Sequence, residues 1–151
     1  KPSNYLVEET LITAVPLEIT MEKLRGFISD HHAEIASTEE DKLRLRITKD
    51  TGKSRRTSDR PAWFILSLQF FEKDNETHHP LDTSRTMIRV SIQLANTRDR
   101  RRDNIHERAR LLFASLQAYF MAQRFDGPVE TEHDPPSPTL FRRLLQLLQP
   151  R

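Results

Sequence analysis

The sequence predicts a two-layer α+β domain: an antiparallel sheet of about four strands with two main helices on one face. Lys42 to Thr48 (KLRLRIT) alternates apolar and polar residues without a fault, the period of a strand with one buried face. Two further strand-like runs, Ala62 to Phe71 and Met87 to Ala95, follow it with turn-like segments between, and such neighbours pair most economically as antiparallel strands. Two other stretches carry apolar residues at helical spacing, and helices of that kind cover the apolar face of a sheet. The order along the chain is β-α-β-β-β-α, followed by a short C-terminal amphipathic helix.

The first strand is Tyr5 to Val15, rich in β-formers and ended by Pro16. Thr20 suits the N-cap of a helix running to about His31, with Met21, Leu24, Phe27 and Ile28 on one side. The chain extends again around Ile35, then turns through Thr38-Glu39-Glu40-Asp41 into Lys42–Thr48. There Leu43, Leu45 and Ile47 face one way, and Arg44, Arg46 and Thr48 the other. After a polar loop, Phe64, Leu66, Leu68 and Phe70 share one face of the next strand, with Trp63, Ile65, Ser67, Gln69 and Phe71 opposite. In the last strand Ile88, Val90, Ile92 and Leu94 alternate with Arg89, Ser91 and Gln93. A long helix follows from roughly Asp103 to Arg124, its core face marked by Ile105, Ala109, Leu112, Leu116 and Phe120. Residues 1–125 thus form the α+β domain, 126–138 an acidic, proline-rich linker, and 139–151 the C-terminal helix, opened by Ser137 as cap and Pro138 at its first position.

The 151 residues suffice for one domain with a substantial core. The formal net charge of +2, from 24 basic against 22 acidic residues, argues against a general polyanion binder, so any basic activity has to come from clustering. With no cysteine the chain has no disulfide, thiolate metal site or cysteine nucleophile, and it suits a reducing compartment. No apolar run approaches the ~20 residues of a membrane span, and no signal-peptide pattern is present. The expected location is the cytoplasm, or the cytoplasmic face of a membrane within a larger protein, since the chain opens on Lys1-Pro2.

Enzyme signatures fail in turn. Three glycines, Gly26, Gly52 and Gly127, form no phosphate-cradling loop, and no G-x-S-x-G elbow exists. Adjacent histidines (His31-His32, His78-His79) diverge on any regular element, and H-x-x-x-H is missing. The acidic runs Glu39–Asp41 and Glu130–Asp134 fall in a turn and the linker, where nothing shifts their protonation. The expectation is no catalysis, no cofactor and no metal.

What remains is recognition. Arg98, Arg100, Arg101 and Arg102 fall just before or inside the first turn of the long helix, where the dipole disfavours cations. Asp99 and Asp103 offset only part of that cost. Arg55 and Arg56, with Lys53 and Arg108, extend the cluster, which is expected to meet an acidic protein segment or an anionic lipid surface. The polar sheet face is a second candidate. Arg44, Arg46 and Arg89 beside Trp63 suit single-stranded nucleic acid, whose bases stack while guanidinium groups hold phosphates. A third is the leucine-rich C-terminal helix: Leu140, Phe141, Leu144, Leu145, Leu147 and Leu148 dock on the domain itself or support a homo-oligomer. The leading expectation is a non-catalytic binding or regulatory module using the arginine cluster, with nucleic-acid binding by the open sheet face and self-association as alternatives. In topology alone, the order helix, antiparallel strands, helix resembles double-stranded-RNA-binding domains. It is also similar to the kinase-associated modules that close some protein kinases and engage acidic phospholipids. The resemblance carries no residue over, and the glycine- and lysine-marked loops of the RNA-binding domains are absent.

Overall fold

The alternation read in three segments extends to a six-stranded sheet. The computed structural model describes residues 5–39, 41–48, 62–73, 85–101, 104–125, 142, 143, 145, 146 and 148, with the side chains of Glu72, Lys73 and Arg100 outside that description. The strands are β1 (Tyr5–Thr13), β2 (Glu34–Thr38), β3 (Lys42–Thr48), β4 (Trp63–Lys73), β5 (Arg85–Leu94) and β6 (Gln123–Arg124), and the helices α1 (Leu17–His31) and α2 (Ile105–Phe120). Every strand pairing is antiparallel, in the spatial order β2-β3-β4-β5-β1-β6. The sheet therefore has two more strands than the four expected, and the first strand lies inside it beside β5.

β2 escapes clear prediction because a single half-buried apolar residue, Ile35, marks it, with its other four residues exposed. β6 escapes because the long helix stops early. Met121 takes a left-handed conformation (φ 51°), and the N–H groups of Met121 and Ala122 bond to the carbonyls of Ala118 and Gln117. That closure ends α2 at Phe120 and frees Gln123–Arg124 to pair with Ile12 and Leu11. An ion pair of 2.5 Å between Arg124 and Glu9 fastens the turn to β1.

α1 begins before the predicted cap. Pro16 occupies the N-cap position (φ −60°, ψ 156°). Thr20 lies buried inside the first turn, its hydroxyl donating to the Pro16 carbonyl at 2.9 Å rather than capping N–H groups downstream. The long helix is also displaced at its start. Thr97–Arg101 form a separate 3-10 turn, and α2 opens only at Ile105 after Asn104, whose φ of 65° breaks the path. Asparagine tolerates that conformation better than most residues.

One core fills the space between the helices and one sheet face. Leu17, Met21, Leu24 and Phe27 of α1 meet Ile105, Ala109, Leu112, Leu116 and Phe120 of α2 above Leu43, Leu45, Phe64, Leu66, Leu68, Val90 and Ile92 of the sheet. Thr13 ties the end of β1 to the end of α2 by donating to the Phe120 carbonyl at 2.9 Å. Leu148 is buried in the same core with Leu145 packed against it, so this part of the C-terminal segment is applied to its own domain. Leu140, Phe141, Leu144 and Leu147 lie outside the described residues. Among the described residues no helix is long and apolar enough to cross a membrane.

Candidate binding face

With both helices on one side, the other side of the sheet is left open, and β3, β4, β5 and β1 set its pattern. Pairing aligns three cross-strand rows. Lys42 faces Gln69, which faces Arg89, which faces Thr10. Next to it run Arg44, Ser67, Ser91 and Glu8, then Arg46, Ile65 and Gln93. Four cations thus project from one face, three along β3 and one from β5.

Two carboxylates share their face, Glu34 of β2 directly across from Arg46 and Glu8 at the end of the Arg44 row, and the remaining neighbours are apolar or neutral. The Arg46 guanidinium lies 4.4 Å from the centre of the Trp63 ring, and that of Arg89 lies 5.7 Å from the Phe71 ring. Both are diagonal pairs between adjacent strands, a distance long side chains span easily. Such stacking holds a guanidinium plane in place without consuming its N–H donors. Among the described residues none of Lys42, Arg44, Arg46 and Arg89 is ion-paired with a carboxylate. The nearby carboxylate of Asp41 instead accepts a 2.9 Å hydrogen bond from the Gln69 amide. Arg44 is half-buried, and its Nε is enclosed with no hydrogen-bond partner. A cavity of about 550 Å³ on this face is lined by Lys42, Ser67, Gln69, Arg89 and Ser91 and also by the carboxylates Glu8 and Glu9.

The four residues that the sequence assigns to this face, Arg44, Arg46, Arg89 and Trp63, are brought together as expected from their alternation. Lys42 joins them, and the same alternation with Leu43 marks it. Glu8, Thr10, Tyr5 and Phe125 are invisible to that pattern, because only the pairing of β1 with β5, and the turn after α2, bring them here.

The arginine cluster is built differently from its expectation. Arg98 and Arg101 are exposed on the five-residue 3-10 turn, held by the Asn96 side chain, which accepts from the Arg98 N–H at 3.0 Å. The first turn of α2 carries Glu107, the charge its dipole favours. Arg98 and Arg101 lie on the 3-10 turn just before that helix rather than in its first turn. The Arg100 side chain, Arg102, Lys53, Arg55 and Arg56 lie outside the described residues.

The described histidines are dispersed, and His78, His79 and His133 lie outside the described residues. His31 is within 3.0 Å of the Ser115 hydroxyl and packs on Phe27 and Tyr119. His32 ends α1, and His106 is exposed. Among the described residues no group of three His, Asp or Glu side chains is placed to hold a metal. No protein-family model, no curated protein and no solved structure matches this chain.

Proposed function

We propose that the chain is a non-catalytic binding domain that holds a polyanion on the open face of its sheet. One observation carries this reading: four cations share that face without a carboxylate partner among the described residues, and two of them are seated on aromatic rings. Cations placed to stabilise a fold are ordinarily set against acidic neighbours, and like charges in adjacent register repel. Here Glu34 stands across from Arg46, whereas Arg44 lies between Ser37 and Ser67 and Arg89 between Gln69 and Thr10, and the Arg44 Nε adds the cost of an enclosed, unbonded donor. A locally unfavourable arrangement of this kind is expected where a partner completes it. Arg98 and Arg101 sit on a solvated turn and make no comparable cluster among the described residues.

Binding to inorganic polyphosphate, followed across a salt series, tests the reading. Replacing Arg44 and Arg46 together by Gln is expected to weaken binding and to reduce the salt slope by about one to two, since each phosphate left without its cation lowers that slope by roughly one unit or less. Replacing Arg98 and Arg101 by Gln is expected to leave both quantities nearly unchanged. If the second variant loses binding and the first keeps it, the open face is not the site.

A further inference from the structure

We infer that the polyanion is a single-stranded nucleic acid, its phosphates along β3 and its bases over β4 and β5; the inference rests on the open-face reading above. Lys42, Arg44 and Arg46 are alternate residues of one strand, so their Cα atoms stand in line about 7 Å apart and their side chains leave the same face. That interval is close to the step between successive phosphates of an extended strand. A row of evenly stepped cations matches a linear array of single charges better than it matches a lipid surface, which asks for projecting side chains. Arg44 is half-buried, and on the Lys42 side the face opens on a cavity of about 550 Å³ whose lining includes Lys42, Gln69 and Arg89 together with Glu8 and Glu9.

The neighbouring strands offer what bases need. Along β4 the open face reads Trp63, Ile65, Ser67, Gln69, Phe71, with a ring at each end and polar groups between. The Trp63 ring and the Arg46 plane stacked on it are flat surfaces on which a base can pile. Gln93 and Ser91 on β5 face Ile65 and Ser67. Amides and hydroxyls donate and accept, which suits base edges, whereas a pure phosphate site needs donors only. Glu34 on β2 and Glu8 on β1 stand on either side of the cationic strip, which confines the phosphates between them. A duplex is disfavoured because its grooves admit a helix or a two-stranded ribbon, not a broad sheet.

The test sets bases against phosphates. Fluorescence anisotropy compares an oligothymidylate of about ten nucleotides with an abasic phosphodiester of equal length, and stacking predicts a preference of at least about tenfold for the former. The single tryptophan, Trp63, is expected to be quenched by the oligothymidylate and not by the abasic chain. Trp63→Leu is expected to remove most of the preference, with a smaller loss of abasic binding because Arg46 loses the ring it rests on. Ser91→Ala with Gln93→Ala, which spares the aromatic packing, is expected to reduce it as well. Equal affinity for the two oligomers, or a preference for duplex DNA or phosphatidylserine vesicles, overturns this inference and leaves the polyanion reading standing. Failure to bind either oligomer or polyphosphate removes both.

Discussion

Replacing Arg44 by Met separates what the fold wants at this position from what the binding face wants. Methionine keeps an unbranched, adaptable stem of similar reach, so packing against β4 is largely retained. It removes the enclosed Nε donor that has no partner, a defect that costs about 1–3 kcal/mol in a typical interior. It also removes a charge lying between Lys42 and Arg46 on the same strand face. At about 7 Å in water each such neighbour contributes about 0.6 kcal/mol of repulsion before salt screens it. Against this stands whatever the partly exposed guanidinium gains from solvent. The net expectation is a stabilisation of about 1–2 kcal/mol, or a rise in Tm of about 3–6 °C for a domain this size. Urea unfolding at low and high salt reads it: the electrostatic share shrinks with salt, and the share from the enclosed donor persists. Polyphosphate affinity is expected to fall in the same protein. A midpoint that drops, or does not move, would refute the claim that this arginine is held against the interest of the fold.

Gly26→Ala tests helix propensity in α1. A Cβ built there comes within 3.5 Å of the Tyr119 ring, ordinary contact, so a gain of about 0.5–1 kcal/mol is expected from chemical denaturation. Leu148→Ala is expected to cost about 2–4 kcal/mol by the same measurement because the side chain is buried in the core, whereas a surface leucine would cost little. The Tyr119 hydroxyl donates to Asp30, and this hydrogen bond raises the tyrosine above its ordinary value of 10.0. The neutral form is thus favoured by folding, so this contribution is intact below pH 10 and declines as the pH rises through the elevated value. Tyr119→Phe is expected to flatten that alkaline decline in pH-dependent melts.

The legible parts of the molecule are those where periodicity alone decides. KLRLRIT spans Lys42–Thr48 in the structure as in the sequence, and the inward set Phe64, Leu66, Leu68 and Phe70 is fully buried. Two left-handed residues defeat the reading of the long helix: Asn104 delays its start, and Met121 ends it where no glycine or proline signals a stop. Through that delay Arg98 and Arg101 fall on the 3-10 turn before the helix. β2 carries too little apolar surface to register, and β6 is too short. The binding face divides along the same line. Its β3, β4 and β5 residues follow from alternation, while Glu8, Thr10 and Phe125 depend on β1 pairing with β5 across most of the chain.

That pairing also sets when the domain can come together during synthesis. β2, β3 and β4 are consecutive and can form as a meander while the ribosome is still elongating. β1 has no sheet neighbour until Arg85–Leu94 has emerged. Closing so long a loop is slow, and an unpaired apolar strand is open to wrong partners in the meantime. A nascent chain arrested before β5 can pack its first helix on the meander but keeps its first strand without the neighbour it pairs with.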